Sequence, residues 1–131
     1  MSRKRVVAVD DVPDSLDALC ELLRGWDYEV DGATDRTQAL ALTLARRTDL
    51  VVTDLSLADG DALDVIRRIK QEDDDVVIVA YTGWAHLEAA ARAAGADAFV
   101  LKPDVDALER LLAYRRNPRP ERTSASVEKT G

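Results

Sequence analysis

Short runs of β-branched and apolar residues recur along the chain and alternate with stretches whose apolar positions follow a helical period. The runs Arg5–Val9, Tyr28–Asp31, Leu50–Thr53, Val76–Tyr81 and Ala98–Leu101 read as five strands. Several are apolar almost without interruption, as expected where helices cover both faces of a parallel sheet. Between them, helices are predicted over about 13–25, 35–47, 62–72, 85–94 and 105–115. Pro13 suits a first helical turn, where its missing N–H costs nothing, and Gly25 suits a helix end. Asp35 with Gln38 has the spacing of a capping box, and Asp104 and Asp106 put negative charge at the start of the last helix, where the helix dipole favours it.

Repeated strand–helix alternation implies right-handed crossovers and an α/β fold, a doubly wound five-stranded parallel sheet with five helices. In such a sheet the first and third strands are neighbours, and ligands bind at the carboxyl ends of the strands near the switch in strand order.

A length of 131 residues suits one domain with a real core, and 47% hydrophobic with 33% charged residues is too apolar for a disordered chain. The formal net charge is −7; the segment from Arg115 onward carries five basic against two acidic residues, leaving about −10 on residues 1–114. Nucleic-acid binding is not expected of so acidic a body. The apolar run after Met1-Ser2-Arg3-Lys4-Arg5 is only Val6 to Val9, far shorter than a signal-peptide core or a membrane span, so a cytoplasmic protein is expected. The lone Cys20, set among Leu16, Leu19 and Leu23, reads as a small buried hydrophobe. Residues 117–131, polar and proline-containing without apolar periodicity, read as a disordered C-terminal tail following a domain of residues 1–116.

The chemistry lies in where the acidic residues fall. Asp10 and Asp11 follow the first strand directly, and Asp54 follows Val51-Val52-Thr53 at the end of the third. Three carboxylates at adjacent strand ends repel one another, by about 4 kcal/mol for a pair about 4 Å apart at an effective dielectric near 20. A cation is expected among them. Mg²⁺ suits oxygen ligands and is commonly held by a few carboxylates with phosphate oxygens, while Lys102, just after the fifth strand, offers a second positive charge. Singly, each residue has a plainer reading: Asp10 and Asp11 as helix or turn caps, Lys102 as a solvated lysine, Thr82 as a turn hydroxyl, Phe99 as a core aromatic. The joint placement of Asp10 with Asp11, Asp54, Thr82 and Lys102 after four different strands favours a site.

The segments Val9-Asp10-Asp11, Asp54-Leu55-Ser56-Leu57, Tyr81-Thr82-Gly83 and Phe99-Val100-Leu101-Lys102-Pro103 resemble, in order and spacing, the receiver domain of two-component response regulators. The resemblance runs from about Arg3 to Tyr114 and implies the flavodoxin-like strand order 2-1-3-4-5. It further implies Asp54 as phosphoacceptor, and Mg²⁺ held by Asp10, Asp11, Asp54 and the backbone carbonyl of Ser56. Thr82 would bond the phosphoryl oxygen, Phe99 would be the rotating switch aromatic, Lys102 would pair with the phosphoryl group, and the Lys102–Pro103 peptide bond would be cis. The implied partners are a histidine kinase or histidine phosphotransfer protein and a downstream protein target, with no nucleic acid and no membrane, the chain being a monomer or weak dimer. On this reading the chain is a phosphoacceptor signalling protein, a single-domain response regulator that promotes its own phosphotransfer and slow dephosphorylation, rather than an enzyme acting on a separate substrate.

The sequence departs from the family where Ala58 and Ala62 stand in place of a common proline and glycine, which leaves the geometry of the loop after Asp54 open. Gly60 offers some turn freedom there. Ser56 and Trp84 occupy positions that in this family influence hydrolysis of the acyl phosphate. His86 reads as an exposed helix residue. The many alanines of the fourth helix suggest either a face that shifts at low cost or plain helix propensity. Two other functions remain. One is a Mg²⁺-dependent aspartate-nucleophile phosphohydrolase, which would need a second carboxylate two residues after the nucleophile and a cap over the substrate. The other is a degenerate receiver that binds partners without phosphorylation.

Overall fold

A computed structural model describes residues 3–57 and 60–116. Five parallel strands form the main sheet: β1 (Arg5–Val9), β2 (Glu29–Ala33), β3 (Leu50–Thr53), β6 (Val77–Thr82) and β7 (Ala98–Leu101). Their order is β2-β1-β3-β6-β7, the expected order, because the intervening β4 (Ser56–Leu57) and β5 (Gly60–Asp61) pair only with each other. That antiparallel ribbon, directly after Asp54, was not foreseen. It pairs Ser56 with Asp61 and Leu57 with Gly60. The expected tail, residues 117–131, and Ala58 lie outside the described residues.

Both faces of the sheet are buried, which explains the near-continuous apolar runs. Alternate strand residues serve two cores. Val6, Ala8, Val52 and Val79 face α1 (Pro13–Gly25) and α5 (Val105–Arg116). Val7, Val9, Val51 and Ile78 pack with residues of α2 (Arg36–Ala45), α3 (Ala62–Glu72) and α4 (Glu88–Ala94). In α1 the buried positions are Leu16, Leu19, Cys20 and Leu23, and in α3 they are Ala62, Val65, Ile66 and Ile69, the i, i+3, i+4, i+7 stripe of an amphipathic helix. Helix α1 crosses β2 so closely that a Cβ on Gly32 would stand 3.1 Å from Cys20 Sγ. No helix among the described residues is long and apolar enough to cross a membrane.

The helix ends show where local chemistry shifts the predicted boundaries. Pro13 occupies the first turn of α1, and Gly25 is its last helical residue. The left-handed position is taken by Asp27, φ 72°. Its N–H donates to the Arg24 carbonyl while the Tyr28 N–H reaches back to Leu23, a Schellman closure. Asp35 caps α2 by accepting from the Gln38 N–H at 2.8 Å, and Gln38 Oε1 accepts from the Thr34 N–H at 2.9 Å, one residue before the box partner expected. Helix α2 stops at Ala45 rather than 47, its C-cap Arg46 being extended. There the buried Arg5 guanidinium donates to the Leu42 carbonyl at 3.1 Å and to Thr48 Oγ1 at 2.6 Å. Strand β2 runs on to Ala33 because parallel pairing with β1 carries Asp31 and Gly32 along with it.

The predicted fourth helix divides into a 3₁₀ turn, Ala85–Leu87, and the short α4. Of its residues only Ala91 is buried. It closes at Gly95, φ +125°, where an added Cβ would meet Lys70 Cγ at 2.9 Å. Lys70 itself bonds Asp97 at 2.8 Å and the Val76 carbonyl at 2.7 Å, tying α3 to the entries of β6 and β7.

Candidate functional site

The carboxyl ends of β1, β3 and β7 deliver the charged residues. Sheet pairing continues past the strands: the Asp10 N–H donates to the Ala33 carbonyl at 3.1 Å and the Asp54 N–H to the Val9 carbonyl at 2.9 Å. Because β1 and β3 are paired in register, with Val9 opposite Thr53, the residues that follow them emerge side by side. Carboxylate oxygens of Asp10, Asp11 and Asp54 accordingly lie within 4.8 Å of one another.

Lys102 is the cation drawn into this group. Its Nζ donates to Asp10 Oδ2 at 2.8 Å and to Asp54 Oδ2 at 2.9 Å. Burial by itself lowers a lysine pKa; here the two carboxylate hydrogen bonds and their negative charge outweigh it, so the ammonium is held above the ordinary lysine value. The ring of Tyr81 stands 5.7 Å from the same Nζ, within cation–π range. Burial pushes the Tyr81 phenol pKa up, and the Lys102 charge opposes that shift. The Lys102–Pro103 peptide bond is cis.

The two oxygens of Asp54 are differently engaged. Oδ2 faces Lys102, whereas Oδ1 accepts from the backbone N–H groups of Leu55 at 2.7 Å and Ser56 at 3.2 Å. Asp10 is 2% exposed and likewise divided: Oδ1 accepts from the Val12 N–H at 3.0 Å, and Oδ2 takes Lys102. The turn-capping reading of Asp10 and the site reading both describe it, one for each oxygen.

Thr82 is fully buried at the end of β6, and its Oγ1 accepts from the Trp84 N–H at 3.4 Å. The Lys102 N–H donates to the Thr82 carbonyl at 2.8 Å, so the threonine and lysine positions are joined through the backbone. Phe99 pairs with Ala80 in the β6–β7 register and is half-buried against the core shared by α2, α3 and α4. Trp84 is 50% exposed, with its ring edge-on to the exposed His86 at 5.8 Å. Sequence reasoning passed over Tyr81 as a neighbour of the lysine, and also Thr53, whose buried hydroxyl donates to the Asp54 carbonyl at 2.7 Å. Both sat in apolar strand runs, where alternation marks a face but not a contact.

The chain resembles known proteins in sequence and in shape. Residues 6–113 match the response regulator receiver domain family. The transcriptional regulatory protein ZraR of Salmonella typhimurium is 34% identical over 133 aligned residues covering 96% of this chain and 30% of that protein. The response regulator protein PilR of Pseudomonas aeruginosa is 33% identical, covering 92% of this chain and 28% of that protein. The chain thus spans about 30% of the length of these relatives. A CheY-like receiver domain protein of Methanospirillum hungatei superposes with a TM-score of 0.81 at 27% identity, over 87% of this chain and 94% of that one. The response regulator TrrA of Thermotoga maritima, solved in complex with Mg²⁺-BeF, gives 0.79 at 29% identity, over 84% and 96%. By its matched sequence, its sheet order and its acidic cluster with a lysine, the chain belongs to the response regulator receiver domain family.

Proposed function

We propose that this chain is a phosphorylation-controlled switch of protein–protein interaction whose phosphoacceptor is Asp54. The observation that carries this reading is the gathering of Asp10, Asp11 and Asp54 around the ammonium of Lys102. The donor is a phosphohistidine of a kinase or phosphotransfer protein. Its N–P bond breaks, the electron pair stays on the imidazole nitrogen, and a carboxylate oxygen of Asp54 forms the new O–P bond.

The donor set at the strand ends is all oxygen and anionic, which fits Mg²⁺. Asp10, Asp11 and Asp54, with the Ser56 carbonyl, are the groups that would hold it. When bound, the ion neutralises charge on the phosphoryl oxygens. Lys102 supplies the neighbouring positive charge from the protein itself. The acceptor carboxylate needs no base, and its orientation is held by the Leu55 and Ser56 N–H groups.

Phosphorylation adds negative charge and new acceptor oxygens beside Lys102. Thr82 then exchanges its bond with the Trp84 N–H for one to a phosphoryl oxygen. That change passes to β7 through the Lys102 N–H on the Thr82 carbonyl, and Phe99, three residues before Lys102 and paired with Ala80, turns into the space released. Hydrolysis of the acyl phosphate, at a rate that Ser56 and Trp84 would influence, resets the switch. The capture of Mg²⁺-BeF by the related TrrA supports the site assignment.

Acetyl phosphate with Mg²⁺ is expected to add one phosphoryl group to the intact protein, read by mass, and none to Asp54→Asn. No mass gain in the unmodified protein with acetyl phosphate or with phosphorylated histidine kinases would overturn the proposal.

A further inference from the structure

We infer that Thr53 is a positioning residue for phosphoryl transfer, acting through the peptide that follows the acceptor. This rests on Asp54 being the phosphoacceptor. Strand β3 reads Leu50-Val51-Val52-Thr53 and is buried throughout, with Thr53 at 0% exposure. Valine has the same branched shape and would fill the position without a polar atom. A buried hydroxyl without a partner is destabilising, and the partner Thr53 has is the carbonyl of Asp54, at 2.7 Å.

That carbonyl belongs to the Asp54–Leu55 peptide, and the N–H of the same peptide donates to Asp54 Oδ1, also at 2.7 Å. The peptide plane is rigid, so fixing its oxygen fixes the direction of its N–H. On the other side, the Asp54 N–H is fixed by the Val9 carbonyl at 2.9 Å. Asp54 is therefore held at both of its peptide groups, one by β1 and one by Thr53. The hydroxyl aims a backbone dipole at one carboxylate oxygen, and Oδ2 is left facing Lys102. Without it the peptide is free to rock, and the carboxylate loses its fixed bearing toward the incoming phosphorus. In the transfer from acetyl phosphate, the O–P bond of the donor breaks, acetate leaves with the electron pair, and the Asp54 oxygen forms the new O–P bond. Thr53 exchanges no atom or proton in this step.

The test compares the unmodified protein with Thr53→Val and Thr53→Ser, using acetyl phosphate and Mg²⁺. Intact mass follows the labelling rate, and NMR follows the Leu55 amide proton. One hydrogen bond of about 0.5–1.5 kcal/mol corresponds to a slowing of about 2- to 10-fold in the valine variant. The serine variant restores the rate. The Leu55 amide resonance should move upfield in the valine variant, as its bond to the carboxylate weakens, and return in the serine variant, a readout that packing alone would not move. Equal rates in the valine variant and the unmodified protein overturn the inference. So does a serine variant as slow as valine, which would assign Thr53 to packing, or a valine variant that fails to fold, which would make the hydroxyl a requirement of the fold and not of the acceptor's orientation. Absence of labelling in the unmodified protein would instead sink the acceptor role of Asp54.

Discussion

Lys102 Nζ lies 2.9 Å from Asp54 Oδ2 across 48 residues of sequence, and the same ammonium reaches Asp10 at 2.8 Å. One cation thus spans the strand that leads into Asp54 and the neighbouring strand that leads into Asp10. Replacing Lys102 with arginine keeps the charge but not the compact ammonium that fits between two carboxylates. Labelling of Lys102→Arg by acetyl phosphate should fall by at least about 10-fold, with the fold retained by circular dichroism. A rate equal to that of the unmodified protein would show that charge alone is what the position needs.

Asp11 adds negative charge to the cluster, while the ammonium of Lys102 bonds Asp10 and Asp54. Asp11→Asn should therefore raise the melting temperature in EDTA, by about 2–5 °C for relief of roughly 1 kcal/mol of repulsion. The same variant should lose most of the stabilisation that Mg²⁺ gives the unmodified protein. Thermal melts across a Mg²⁺ titration test both statements, and parallel curves for the two proteins would contradict them.

The raised Lys102 pKa sets the sign of a pH effect. A lysine whose pKa is higher folded than unfolded stabilises the fold fully below the unfolded value, about 10.4. That contribution is lost as pH rises through the higher folded value. The stability difference between the unmodified protein and Lys102→Met should stay flat from about pH 7 to about pH 9 and shrink above the ordinary lysine range. Urea titrations across that span measure it; a decline already complete below about pH 9 would give the opposite sign.

Arg5 joins β1 to β2, through Asp31 at 2.7 Å, and to the end of α2, at the opposite end of the sheet from Asp54. Arg5→Met should cost about 2–3 kcal/mol, because it strips the buried Thr48 hydroxyl and the Leu42 carbonyl of their donor. Labelling of the folded variant should be unchanged. Denaturant unfolding and mass spectrometry on one preparation would separate the two effects.

Strand-end aspartates and the lysine were legible because strand periodicity fixes where a strand stops, and parallel pairing then fixes what stands beside what. Asp10, Asp54 and Lys102 needed only that logic. Arg5 escaped it: at the edge of an apolar run, beside Arg3 and Lys4, nothing local separates a buried guanidinium from a solvated one. The β4–β5 ribbon was hidden for a different reason. Two residues per strand are too few for alternation to show. The split of the fourth helix was masked by its alanines, which favour helix at every position without marking where one begins.

Helix α4 has seven residues, too few to persist without its neighbours, and its two ends are held differently. At Gly95 the chain closes through bonds to Arg92 and Ala91 and rests on the Lys70 side chain. At Leu87 no side chain caps it, and a 3₁₀ turn leads in from Trp84. Deuterium uptake should therefore sweep inward from Ala85, with the amides nearest the threonine end of β6 exchanging first and those beside Gly95 last. The end that follows Thr82 is then softer than the end at Gly95, a graded softness written into one helix by a missing cap at its start and a glycine at its close.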